Sequence, residues 1–222
     1  MNLQRRFMSL GIVLLFSTAA ALPQPAHTGA SAGMGVTYSS SRELVDLVNG
    51  TTGAQEKLAE FHAGAEFFVS VSIPLSEEWV LKLDYGYQVA SYNIATLYET
   101  AQFTLTQHCP TIIIQHVLAE QGIFNLKAGA GIGYHFGNLA ERFLYIDNSF
   151  GGKGPGVIAE LEGNTALGEH LFIHLGVNAR WELIGELTDS SGKFPGTTSS
   201  GGHPTLNSFG VGARMGVTYY FF

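Results

Sequence analysis

The chain has 222 residues, of which 45% are hydrophobic and only 13% charged, with a formal charge of −7. That charged fraction is about half the usual one, and the acidic balance gives nucleic-acid binding no electrostatic support. A single cysteine, Cys109, excludes an internal disulfide framework.

Residues 1–21 read as a secretory signal peptide. Arg5 and Arg6 precede an apolar run, Phe7 to Phe16, and Ala19-Ala20-Ala21 supplies a small-residue cleavage site before Leu22. The apolar run is shorter than the roughly 20 residues of a spanning helix. Residues 22–29 read as a short linker, and residues 30–222 as one domain.

From Ala30 onward the dominant period is two, which marks strands. Strand 1 is expected over Ala30–Ser39, with Ala30, Ala32, Met34, Val36 and Tyr38 on its apolar face. Arg42 to Glu60 breaks the alternation. Leu44, Leu47 and Val48 sit there at helical spacing, so a long loop with a short helix is expected. Strand 2 follows over Phe61–Ile73, then a tight connection from Pro74 to Glu78, and strand 3 over Trp79–Tyr92. Asn93 to Thr100 reads as a medium loop.

Strand 4, Ala101–Val117, carries two conflicting apolar registers: Phe103 and Leu105 set one, Ile112 and Ile114 the other. Pro110 cannot donate to a ladder, so a bulge or break is expected near Cys109-Pro110. After a tight turn from Ala119 to Gly122, strand 5 runs over Ile123–Phe136 with the cleanest alternation in the chain. Gly137 to Lys153 reads as a second long loop. Strand 6 is expected over Pro155–Leu167 and strand 7 over Leu171–Gly185, joined by a tight turn. Thr188 to Asn207, rich in Gly, Ser, Thr and Pro, reads as a third long loop. Strand 8, Ser208 to Phe222, places Phe209, Val211, Ala213, Met215, Val217, Tyr219 and Phe221 on one unbroken apolar face.

The pattern predicts an all-β fold: an eight-stranded antiparallel up-and-down transmembrane β-barrel, with short periplasmic turns and longer extracellular loops. Closure satisfies every backbone group, which lipid demands. The polar faces are dominated by Gly, Ser and a few charges, as a narrow interior requires, where a soluble sandwich carries many Lys, Glu and Thr. Aromatic residues gather near strand ends (Tyr38, Phe61, Trp79, Tyr134, Phe136, Trp181, Tyr219, Phe221), as interfacial girdles do.

The signal peptide, the eight strands and the ending Gly216-Val217-Thr218-Tyr219-Tyr220-Phe221-Phe222 resemble the small outer-membrane barrels of Gram-negative bacteria, the OmpA/OmpX type. The resemblance covers essentially the whole mature chain and implies residence in the outer membrane after signal-peptide-directed export. It also implies an assembly signal in Tyr219, Phe221 and Phe222, read by the barrel-assembly machinery. The apolar face ends at Phe221, so Phe222 lies one residue beyond the usual end.

With the polar faces inward, the lumen is expected to collect Glu66, Lys82, Asp84, Lys127, Glu160, Glu162, Arg180, Glu182 and Arg214, with His62, His135 and His174. Eight strands leave little open space, so these charges must pair. A plugged interior is expected, with a narrow pore as the alternative. A lipid A-modifying enzyme is a weaker alternative: His174/Glu182 and His62/Glu66 share inward faces, but no His-x-Ser motif of the deacylase kind is present. No catalytic, cofactor or metal residues are assigned; His108 and Cys109 face opposite sides of strand 4. The expected partners are outer-membrane lipid and lipopolysaccharide, the assembly machinery, and an extracellular ligand met by the loops. The role these imply is structural or surface-interacting.

Overall fold

The computed structural model describes residues 28–51, 61–95, 100–143, 146–195 and 202–221. The signal peptide, most of the linker and Phe222 lie outside the described residues. Eight strands form one closed barrel in sequence order: β1 (Gly29–Ser40), β2 (Phe61–Pro74), β3 (Trp79–Ala95), β4 (Thr100–Gln121), β5 (Phe124–Phe143), β6 (Ile146–Ala166), β7 (Leu171–Glu182) and β8 (Ser208–Tyr220). Every neighbouring pair is antiparallel. β8 closes on β1 through a register that sets Ala30 against Tyr219 and Met34 against Met215. One helix, α1 (Arg42–Thr51), follows β1.

The period-two alternation sets which side chains face out. Val36, Val69, Leu83, Ile112, Ile132, Leu161, Leu175 and Met215 are exposed on the outer wall. Together they form a continuous apolar belt around the barrel, an exterior matched to hydrocarbon and not to water. Trp79, Tyr219 and Phe221 mark its short-turn end. Tyr38, Tyr134, Phe136 and Trp181 mark its loop end. Inside the belt the facing positions are mostly polar or glycine, with Phe68, Ile113, Ile158 and Phe172 buried among them.

Above Phe136 and His108 the pattern inverts. Thr104, Thr106, Asn138, Ala140 and Ser149 face outward, while Phe103, Leu105, Leu139 and Phe150 are buried inside. Strands β4 to β6 are 22, 20 and 21 residues long, about twice what crosses a bilayer. Their upper halves therefore stand clear of the membrane belt as a stalk with a polar exterior and an apolar interior. Leu44 and Leu47 of α1, with Ile184, Leu187 and Leu206 from the segment after β7, fill that interior from the loop side.

The inversion explains four corrections to the sequence reading. Gly137–Lys153 is not a loop: it is the continuation of β5 and β6, paired from Gly137↔Gly152 to Phe143↔Ile146. Its Leu139 and Phe150 point inward, so no outward apolar face announced it. Of Asn93–Thr100, the described residues Asn93, Ile94, Ala95 and Thr100 are strand, since β3 runs to Ala95 and β4 begins at Thr100; the remaining four lie outside the described residues. From Ala101 to Val117 strand 4 keeps one register. Its odd-numbered residues face in and its even-numbered residues face out, and only the apolar preference changes sides. No register shift occurs at Cys109-Pro110; the bulge lies between Val117 and Ala119. Finally, β7 ends at Glu182, three residues earlier than expected. Leu183 and Gly185 still donate backbone hydrogen bonds to Pro155 and Lys153, but Ile184 and Leu187 turn into the apolar plug.

Candidate functional site

The interior of the belt is a chain of buried charges held by six strands. All nine sequence-predicted lumen residues are buried inside the barrel. They sort into two neutral quartets and one remainder.

The upper quartet is Arg180, Arg214, Glu66 and Asp84. The Arg214 guanidinium donates to both oxygens of Glu66 (3.1 and 2.8 Å) and both oxygens of Asp84 (3.0 and 3.0 Å). Arg180 Nη2 lies 2.7 Å from Glu66 Oε1. The Phe68 ring lies 4.7 Å from the Arg214 guanidinium carbon. The planar fork of arginine suits this double bidentate contact, which a lysine could not make. A side chain at Gly86 would meet Glu66 and Arg180, so glycine there leaves room for the pair.

The lower quartet is Lys82, Lys127, Glu160 and Glu162. Lys82 donates to Glu160 (3.0 Å) and Glu162 (2.7 Å), and Lys127 to Glu162 (3.2 Å). Gln115 donates to both carboxylates, and Asn164 donates to Glu162. A hydroxyl chain continues from Asn164 through Thr218 to Ser31. Tyr220 faces inward, takes a hydrogen bond from Lys127 and packs edge-on against Phe172 at the short-turn end. Its neighbours Tyr219 and Phe221 face out.

The remainder is Glu182. The sequence pairing of His174 with Glu182 does not occur. His174 Nδ1 lies 3.8 Å from Glu162, while Glu182 meets His135 and Cys109. The side chain of His62 lies outside the described residues, which leaves His62/Glu66 without a structural account. Sequence reasoning missed the Cys109–His135–Glu182 grouping. Same-face parity along each strand does carry it, but the barrel register that brings β4, β5 and β7 to one level does not show in any one strand.

Two cavities border this network. One, at the short-turn end beside Lys127 and Tyr220, holds about 50 Å³; the other, beside Arg180 and Glu182, about 10 Å³. A water needs roughly 10–15 Å³ by the same measure, so these spaces take a few waters and no more. Above them sits the apolar plug. Glu43 of α1 accepts a hydrogen bond from the Thr205 amide (2.8 Å), tying the helix to the segment before β8. In that same segment Asp189 accepts from the Ser191 hydroxyl (2.7 Å) and from the Ser191 and Lys193 amides, which holds its carboxyl below the usual range. Phe194 stacks on His203 with ring centroids 3.5 Å apart.

A closed eight-stranded barrel, apolar outside and filled with paired charge inside, defines the class of small transmembrane β-barrels. Solved structures agree with that class. Neisserial surface protein A matches with a TM-score of 0.56 at 12% identity over 89% of this chain and 99% of its own. OprG from Pseudomonas aeruginosa matches with a TM-score of 0.53 at 14% identity over 89% of this chain and 97% of its own. Ail, the attachment invasion locus protein of Yersinia pestis, matches with a TM-score of 0.50 at 8% identity over 88% of this chain and 100% of its own. Identities this low establish a shared fold. No protein-family model and no curated protein sequence matches the chain.

Proposed function

We propose that this protein is an integral outer-membrane barrel of a Gram-negative bacterium, exported by residues 1–21, with a structural or surface-interaction role. The observation that carries the reading is the double closure of its interior. Ion quartets occupy the membrane level and an apolar plug occupies the stalk, which supports an interior closed to solute. What the architecture offers to the exterior is the stalk and its loops. The short-turn end, which also holds both strand termini of the barrel, then faces the periplasm. The segments after β1 and β7 and the tip of the β5–β6 hairpin face outward. Recognition belongs to such loops and tips when a rigid scaffold carries them. Surface lipopolysaccharide surrounds the stalk, and Tyr219, Phe221 and Phe222 serve as the assembly signal. We assign no reaction to this chain.

Two measurements test the proposal. The outer-membrane fraction, run boiled and unboiled, should show a heat-dependent change in gel mobility. A protein recovered in the soluble periplasmic fraction without that change would overturn the location. The purified barrel in planar bilayers should give no discrete conductance steps. Steps that change when Arg180 or Arg214 is neutralised would replace this reading with a narrow pore.

A further inference from the structure

Glu182 is the lumen carboxylate left over when the quartets pair off. Arg180 and Arg214 balance Glu66 and Asp84, and Lys82 and Lys127 balance Glu160 and Glu162. Among the described residues, no lysine or arginine forms an ion pair with Glu182; its partners are His135 Nδ1 and Cys109 Sγ, the latter 4.0 Å from Oε1. The three side chains come from β4, β5 and the last residue of β7. Cys109 and His135 are 0% exposed and Glu182 4%. Their donor atoms all lie within 4.8 Å of one another.

Hydrogen bonding sets the group's geometry. The Thr111 hydroxyl donates to the Cys109 carbonyl (3.2 Å) and lies 3.2 Å from His135 Nε2. Nδ1, on the other side of the ring, faces Glu182, and the Cys109 thiol is a third donor aimed at the same carboxylate. The site is also cut to fit the ring: a methyl group at Gly133 or at Gly156 would overlap the His135 imidazole.

We propose that Cys109, His135 and Glu182 bind one divalent transition-metal ion, with Zn²⁺ the best match. Thiolate, imidazole and carboxylate are zinc donors. Zn–N of about 2.0 Å and Zn–S of about 2.3 Å put tetrahedral ligands roughly 3.3–3.6 Å apart, which side-chain rotations reach from the observed spacing. Binding releases the Cys109 thiol proton to solvent. Zn²⁺ with one thiolate and one carboxylate is formally neutral, so the whole lumen then balances. Thr111 fixes the imidazole through its other nitrogen, as outer partners of zinc ligands do. The ion would clamp β4, β5 and β7 where the polar lumen meets the apolar plug.

The test refolds the urea-unfolded full barrel into detergent with chelator, with Zn²⁺ or with Co²⁺. A heat-dependent gel shift first shows that each sample is a barrel, so failure of the barrel reading is seen separately. After desalting, elemental analysis should find one metal per wild-type barrel. The cobalt form should show thiolate-to-metal charge-transfer absorption, absent in Cys109→Ser. Zn²⁺ should raise the urea midpoint of wild type and not of Cys109→Ser, and Thr111→Val should weaken binding about 10–100-fold. Gel-shifted wild type with no bound metal and no charge-transfer band overturns the proposal and makes His135–Glu182 a proton-bridged pair. Metal uptake that persists unchanged in both Cys109→Ser and His135→Gln also overturns it, by placing the ion on outer histidines such as His108 and His116. Where a variant does not fold, the wild-type cobalt spectrum decides.

Discussion

Arg214→Met removes one guanidinium from the upper quartet and leaves Glu66 and Asp84 with Arg180 alone. Four hydrogen bonds, all between 2.8 and 3.1 Å, disappear together. Arg180 sits 2.7 Å from Glu66 but 3.9 Å from Asp84, so Asp84 is left nearly uncompensated. Breaking a buried pair from one side costs about 3–5 kcal/mol. With a urea slope of about 2 kcal/mol per molar, the midpoint falls by roughly 1.5–2.5 M. The assay is urea unfolding of the folded barrel in lipid vesicles, followed by fluorescence of Trp79 and Trp181. Both tryptophans lie on the outer wall, one at each end of the belt, and lose their lipid environment on unfolding. Adding Asp84→Asn to Arg214→Met leaves the Arg180–Glu66 pair balanced and should recover most of the loss. A midpoint drop below about 0.5 M for the single variant would refute the claim that unpaired buried charge sets the cost. So would a double variant no more stable than the single one.

Three further outcomes are expected. Phe103→Ala, which empties part of the stalk core, should cost about 3–5 kcal/mol in the same unfolding assay, while Gln102→Ala beside it should change stability by under about 0.5 kcal/mol; equal effects would deny the apolar plug. Ile112→Arg, in the belt, should cost about 2–4 kcal/mol, and Thr104→Arg, in the stalk, about 0–1 kcal/mol, and the reverse order would misplace the membrane boundary. The depressed Asp189 carboxyl helps order the loop only while it is ionised, so that contribution is present above its unfolded value near pH 3.9 and is lost as pH falls through the lower folded value. The Ser191 and Lys193 amide resonances should therefore titrate below about pH 3.9, and a midpoint at or above that value would show that the hydrogen bonds do not form.

The sequence by itself determined the strands within the membrane belt, their number and their facing. A lipid-exposed wall demands an apolar residue at every second position, and that demand is local to each strand. Met34, Val69, Leu83, Ile132, Leu175 and Met215 could be assigned to one wall without knowing which strand pairs with which. The inward set of charges followed from the same parity. Only the tertiary structure decided the rest. Above the belt the solvent changes from lipid to water, and the apolar preference crosses to the inner face. Leu139 and Phe150 then look like stray residues in a loop until β5 and β6 are seen to be paired around a core that also includes Leu44 and Ile184. Which charges meet was equally beyond reach of the strand pattern. Glu182 meets His135, and not His174, because the tilt and stagger of a closed barrel set the level of each residue, and those depend on all eight registers together.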